Sequence, residues 1–112
     1  MTDCIFCKIL SGAIPSTKVY EDESVYAFRD INPQADTHIL VIPREHISGA
    51  DAITESNSAA VARCFEAIPK IAAQEGVDSF RVITNNGVGA GQSVFHLHFH
   101  ILSGAGLSEK LL

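Results

Sequence analysis

Apolar positions along the chain fall into short β-rich runs, one long helical repeat and polar turns between them. Residues 18–20 and 24–29 predict two strands around the acidic turn Glu21-Asp22-Glu23. HILVIP, residues 38–43, is β-branched and apolar; it predicts a third strand closed by Pro43, after a loop through Asn32-Pro33 in INPQADT, residues 31–37. The period then changes. In ITESNSAAVARCFEAIPKIAAQEG, residues 53–76, Ala60, Cys64, Ala67 or Ile68, and Ile71 recur at helical spacing. Thr54 or Ser56 is placed to cap this helix, Gly76 to stop it, and Pro69 inside the pattern predicts a kink. Residues 80–84 and 93–102 predict two more strands, separated by the glycine-rich NNGVGAGQ. Residues 4–11 predict a short helix or turn ended by SGAIPS, and the tail SGAGLSEKLL reads as irregular. Strands on both sides of one long helix, joined strand to strand, predict an α+β fold with an antiparallel sheet.

Composition narrows this picture. The 112 residues suit a single domain, 1–112, and 46% hydrophobic content is enough for one core and too much for a disordered chain. No apolar run is long enough to cross a bilayer. The start, Met1-Thr2-Asp3-Cys4, lacks the basic residues and apolar block of a signal peptide, so a soluble cytoplasmic protein is expected. Lys and Arg number 8 against 13 Asp and Glu, a formal charge of −5, which argues against a nucleic-acid-coating surface and for no membrane or nucleic-acid partner. An acidic chain can still hold one phosphate through backbone N–H groups and imidazoles. The three cysteines, an odd count, fit thiols or metal ligands better than a disulfide framework. Cys64 reads as part of the long helix's apolar face.

Candidate chemistry gathers in SVFHLHFHIL, residues 93–102, which places His96, His98 and His100 at every second position. On a strand they project to one side, neighbours roughly 6–7 Å apart, while Phe95, Leu97, Phe99 and Ile101 project to the other and can pack against a helix. Imidazole titrates near neutrality and suits metal binding, proton transfer or nucleophilic attack. A solvated, merely solubilising face is the plain alternative. Of the functional readings, two histidines could hold a catalytic zinc that activates water. Alternatively, one imidazole attacks an electrophile while its neighbours position it and the leaving group. NNGVGAGQS resembles a phosphate loop in composition but lacks the G-K-[ST] ending and does not run from a strand into a helix. Alone it reads equally as a flexible hairpin; beside three histidines its small residues would let backbone amides and Ser93 approach a phosphate, which makes phosphorus the favoured electrophile. Cys4-Ile5-Phe6-Cys7 is a C-x-x-C pair with three readings: a redox dithiol, two unrelated thiols, or half of a zinc site.

QSVFHLHFHIL resembles the His-x-His-x-His-apolar-apolar signature of the histidine triad (HIT) superfamily. DINPQADTHILVIPREHI (30–47), CIFCKILSGAIPS and VYEDE are similar, in the same order, to its Hint-type branch, so that the resemblance covers residues 4–102. It implies the HIT fold: an antiparallel sheet of about five strands, one long and one short N-terminal helix, and a sheet continued across a homodimer. It also implies a purine nucleoside phosphoramidase-type hydrolase that cleaves nucleotide conjugates at the α-phosphate and releases AMP or GMP. A dinucleoside polyphosphate hydrolase is the enzymatic alternative; a nucleotide-binding or interaction protein with vestigial catalysis is the other. By this resemblance His98 is the nucleophile and forms a covalent nucleotidyl-histidine intermediate, with its second nitrogen expected to hold a proton against the carbonyl of His96. His100 and His38 flank the phosphate, Ser93 lies near the leaving group, and Asn85 and Gln92 are expected phosphate or leaving-group contacts. Asp30, which alone reads as a turn former, matches the ribose ligand. Ile5, Phe6, Ile14, Phe28 and Ile31, each ordinary core when taken singly, fall where the family lines its purine pocket. Bacterial-type members with a structural zinc map it to Cys4, Cys7, His46 and His96, which would leave no open position for zinc catalysis, and no organic cofactor is implied. GAGLSEKLL does not match the aromatic, proline-containing tail of eukaryotic-like members.

Overall fold

A computed structural model describes residues 3–112; Met1 and Thr2, half of the stretch read above as lacking a leader, lie outside them. All five predicted strands form, within shifted limits: β1 Lys18–Glu21, β2 Val25–Arg29, β3 Thr37–Pro43, β4 Arg81–Ile83 and β5 Phe99–Ser103. They build one sheet in the order β1-β2-β3-β5-β4, with every neighbouring pair antiparallel. The helices are α1, Ile5–Leu10, and α2, Ser58–Glu75. Short 3₁₀ turns occupy Ala50–Ala52 and Val88–Ala90. The architecture is the α+β arrangement expected. None of the described helices is long and apolar enough to cross a membrane.

Strand parity divides the sheet into two faces. Val25, Ala27, Ile39, Val41, Phe99 and Ile101 pack under α2 against Cys64, Ala67, Ile68 and Ile71. Phe28, Leu40 and Ile42 alternate to the opposite face and pack against Phe6 of α1. Ile39, Ile71 and Ile101 are at most 2% exposed, and burial of each contributes about 2 kcal/mol to stability. Cys64 is fully buried in this layer, and burial pushes its thiol up to about 12. It is a core residue, as expected.

Two expectations are corrected. The long helix starts at Ser58, and neither Thr54 nor Ser56 caps it. Asn57 occupies the cap position, yet its side chain turns back, accepting from the Thr54 N–H at 2.7 Å and donating to the Ala52 carbonyl at 3.1 Å. Short polar side chains thus build a turn before the helix where the apolar repeat alone reads as helix. Pro69 lies inside α2 on its exposed side, where the carbonyl that loses a partner can be solvated. Gly76 stops the helix as expected, in the left-handed region at φ 69°.

The histidine strand is the second correction, because only Phe99–Ser103 pairs as β5. The β3–β5 ladder runs from Thr37↔Ser103 to Val41↔Phe99 and stops. Two residues further along β3 stands Pro43, which has no N–H to extend the ladder, and its carbonyl accepts from the His96 ring at 2.8 Å. The Leu97 N–H bonds instead to the Ile47 carbonyl. Residues 93–98 are therefore an irregular approach to β5. Leu97, Phe99 and Ile101 still pack beneath α2, but Phe95 is 47% exposed.

Candidate functional site

The face of the sheet under α1 carries the polar cluster. His38 shares this face with Leu40, and the β3–β5 register sets Leu40 opposite His100. His38 and His100 are thus diagonal neighbours across two strands, close enough for their rings to bond. His38 Nε2 and His100 Nδ1 are 2.8 Å apart. The backbone N–H of Gln34 donates to His38 Nδ1 at 3.0 Å, so His38 carries its proton on Nε2 and donates it to His100 Nδ1. The His100 proton is then on Nε2. Asp30 Oδ2 lies 3.3 Å from His38 Nε2, while Asp30 Oδ1 accepts from the Asn32 N–H at 2.8 Å.

His98 is wired separately. Its Nδ1 donates to the His96 backbone carbonyl at 2.7 Å, which leaves a lone pair on Nε2. Among the described residues no buried side-chain nitrogen or oxygen lacks a hydrogen-bond partner. The unpaired Nε2 atoms of His98 and His100 must therefore be accessible, and both residues line the same cleft. Phe6 holds the His98 ring edge-on, with centroids 5.1 Å apart, and the Thr84 hydroxyl donates to the His98 carbonyl at 2.7 Å. Burial pushes the pKa of His98 down and that of His100 down to about 4, the latter helped by the neighbouring His98 and His38. Both rings are neutral at pH 7. The arrangement presents one imidazole with a free electron pair and a second with a free N–H, 5.0 Å apart between centroids.

The cleft measures about 370 Å³. Ile5, Phe6, Ile14, Phe28 and Ile31 all line it, together with Asp30, Ser93, His98 and His100. Ile31 is fully exposed and Ile5 half exposed, so both are apolar surface left open at the rim. His38 sits behind His100 and reaches the cleft through it. Two expected residues stand elsewhere. Asn85 follows β4 and lies outside the cleft lining. Gln92 is buried, and its amide is taken up by the glycine loop: it accepts from the Gly87 N–H at 2.8 Å and donates to the carbonyls of Ser48 and Val94 at 2.8 and 3.0 Å. It fastens the loop that carries Ser93 and does not face the cleft.

Sequence reasoning missed the Gln34 amide, Thr84 and the contribution of Leu40 and Val94 to the cleft wall. A backbone N–H belongs to any residue except proline, so no side-chain pattern announces the role of Gln34. Leu40 was legible in principle, being two residues from His38 on the same strand face.

A second cluster joins Cys4, Cys7, His46 and His96, whose ligand atoms all lie within 4.8 Å of one another. Cys4 Sγ is 3.4 Å from His96 Nδ1, Cys7 Sγ is 3.4 Å from His46 Nδ1 and 3.6 Å from His96 Nδ1. Zinc–sulfur bonds of ≈ 2.3 Å and zinc–nitrogen bonds of ≈ 2.0–2.1 Å at a tetrahedral angle set the S···N edge at about 3.5 Å. Three of the six donor pairs are thus already at the edge length of a closed four-coordinate site. The Pro43 carbonyl fixes the His96 tautomer by accepting from Nε2, which turns the Nδ1 lone pair to the thiols. Burial and the Cys4 side chain push the Cys7 thiol up; a cation among the four donors reverses that by favouring the thiolate.

Comparison with known proteins gives a consistent family. The pattern of the HIT domain matches residues 11–107. The chain is 43% identical over 111 residues to the purine nucleoside phosphoramidase of Escherichia coli K12, covering 97% of this chain and 93% of that one. It is 47% identical over 103 residues to the 14 kDa zinc-binding protein of Zea mays, covering 89% and 80%. Among solved structures, a HIT family hydrolase from Clostridium thermocellum superimposes with a TM-score of 0.96 at 46% identity, covering 100% of this chain and 99% of that one.

Proposed function

The chain belongs to the HIT domain family, and from that membership we propose that it hydrolyses purine nucleoside phosphoramidates or related nucleotide conjugates at the α-phosphate. The purine lies against Ile5, Phe6, Ile14, Phe28 and Ile31, Asp30 accepts from the ribose hydroxyls, and the phosphate meets His98, His100 and Ser93 with His38 behind. In the first step the electron pair on His98 Nε2 attacks phosphorus and a P–N bond to the ring forms. The bond to the leaving nitrogen breaks, and that nitrogen keeps the pair and takes a proton from solvent. The His98 Nδ1–H stays on the His96 carbonyl and supports the cationic ring. The His100 Nε2–H donates to a phosphoryl oxygen as charge develops there. Water then attacks phosphorus, the pair returns to Nε2, a proton leaves with solvent, and AMP or GMP departs.

The observation that supports this most directly is the 2.7 Å bond from His98 Nδ1 to the His96 carbonyl, which assigns the free electron pair to the cleft side of the ring. The test is turnover of adenosine 5′-phosphoramidate followed as AMP release. His98→Ala should lose about 10⁴-fold or more in kcat, and an alkali quench of wild type with labelled substrate should capture a nucleotidyl-His98 peptide. Equal rates in the two proteins would reject the assignment.

The Cys4, Cys7, His46 and His96 donors are proposed to hold one structural zinc, a reading supported by their spacing and by the relative named as zinc-binding. The ion, when bound, supplies cross-linking of α1 and the segment after β3 to the approach to β5. A homodimer with two such sites is also proposed; β4 stands at one of the sheet's two open edges, and Phe65 on α2 is 48% exposed. Three cysteines without a disulfide among the described residues suit a reducing, cytoplasmic setting.

A further inference from the structure

The strand registers set His100, Leu40, Phe28 and Lys18 in one row across the sheet, from β5 to β1. Neighbouring strands lie about 4.8 Å apart, so the row spans about 14 Å. A phosphate met by the imidazoles occupies its β5 end, and the base, the far end of a nucleotide, lies toward β1. Beyond Lys18 the Thr17 carbonyl accepts from the Arg29 N–H at 3.0 Å, which keeps the chain beside β2 back to Ser16. Ser16 is half-buried and lines the cleft. Several polar groups at this end are already committed. The Ala13 and Ile14 N–H groups both donate to the Lys8 carbonyl, at 2.9 and 3.2 Å, Pro15 has no N–H, and the Arg29 guanidinium is turned to Glu75. The Ser16 hydroxyl differs from these. It lies 2.7 Å from the Tyr26 hydroxyl, and either oxygen can donate to the other. Tyr26 is itself held: its ring leans on Phe28, with centroids 5.8 Å apart, and the Arg44 guanidinium covers it at 5.8 Å from the centroid. Two hydroxyls joined by one bond use one of their two protons between them. When Ser16 donates to Tyr26, the Ser16 oxygen keeps a lone pair for the cleft; when Tyr26 donates to Ser16, the Ser16 O–H is left to donate.

We propose that the Ser16–Tyr26 pair reads the group on carbon 6 of the purine, and that by reversing its internal bond it meets a 6-amino base as acceptor and a 6-oxo base as donor. The inference rests on the reading above, with the nucleotide lying along the cleft and its phosphate at His98. The apolar wall supplies affinity for any flat base, and the hydroxyl pair adds a preference for bases that carry a polar group at carbon 6. A fixed donor or a fixed acceptor at position 16 would favour one class of purine over the other; a pair that reverses accepts both.

Three 5′-phosphoramidates test it: those of adenosine, with an amino group at carbon 6, inosine, with an oxo group, and purine riboside, with hydrogen. In wild type the first two should have kcat/KM values within about threefold of each other, and each about three- to tenfold above purine riboside, the gap lying in KM. Ser16→Ala should erase both gaps. Tyr26→Phe, which leaves the Ser16 hydroxyl unanchored, should narrow both without favouring either base. Melting curves of the two variants separate a local loss from a fold defect, and the wild-type comparison needs no variant. Equal rates for the three bases in wild type, a gap for only one of the polar bases, or gaps that survive Ser16→Ala overturn the proposal while leaving the hydrolytic reading intact. Failure of wild type to release a monophosphate from any of the three removes the hydrolytic reading; calorimetric Kd values for AMP, IMP and purine riboside 5′-monophosphate then decide on the pair by the same ordering.

Discussion

Lowering the pH from 7 to 5.5 should cost less turnover than the titration of an ordinary imidazole would. An imidazole with the ordinary pKa of 6.5 is about 90% protonated at pH 5.5. His100, pushed down to about 4 mainly by burial and then by His98 and His38, is only about 3% protonated there. His98 is lowered for the same leading reason. A neutral His100 keeps its Nδ1 lone pair available to the His38 ring, and His98 keeps its Nδ1–H on the His96 carbonyl. The sign for stability follows from proton uptake. The unfolded chain binds a proton at His100 near pH 6.5, whereas the folded protein resists until about 4. The stabilising contribution of a neutral His100 is therefore fully present above pH 6.5 and is lost as the pH falls from 6.5 toward 4. The assay is kcat/KM for adenosine 5′-phosphoramidate between pH 4.5 and 8, which reports groups of the free enzyme. The acid limb should bend below the ordinary imidazole value of 6.5, a property shared by the cluster. A limb centred on 6.5 would refute the inference that burial governs these rings.

Removing the proposed zinc with a strong chelator should lower the melting temperature by more than about 10 °C, because a structural site contributes its binding energy to folding; an unchanged melting curve and no zinc by elemental analysis would dismiss the metal. Asp30→Asn should raise KM about tenfold while changing kcat little, and a 2′,3′-dideoxy substrate should erase the difference between the two proteins. Ile71→Ala, at a position with no exposed surface, should cost about 2–5 kcal/mol in urea unfolding. A loss under about 1 kcal/mol would mean that α2 is not packed on the sheet as described.

Much of the fold was legible because each sheet face has its own chemistry. Val25, Ala27, Ile39 and Val41 meet α2, and the alternate residues Phe28, Leu40 and Ile42 meet α1, so the strands read as continuous apolar runs. Strand limits were not legible at residues 93–98, where the deciding fact is a proline on another strand that cannot donate and a carbonyl claimed by a histidine ring. The start of α2 was hidden for a related reason, since Asn57 spends its side chain on the preceding turn. Within the site, side chains with distinctive chemistry were found from the sequence: His98, His100, His38, Asp30 and Ser93 come together as expected. Gln92 illustrates the opposite limit. Its amide could serve a ligand or the loop equally well, and only the positions of Gly87, Ser48 and Val94 decide for the loop.

His96 takes part in two systems by different atoms. Its ring belongs to the cysteine–histidine cluster and is pinned by Pro43, while its carbonyl oxygen positions His98. Every amino acid brings the same oxygen to position 96, so the placing of the His98 ring depends on where that peptide stands and not on which letter is written there. A descendant of this chain could trade both thiols and the imidazole for a tight hydrocarbon plug and keep its reactivity, provided the new packing anchored the same stretch of backbone against residue 43. Metal loading and bond cleavage are, on this account, separable inheritances that happen to share one peptide unit.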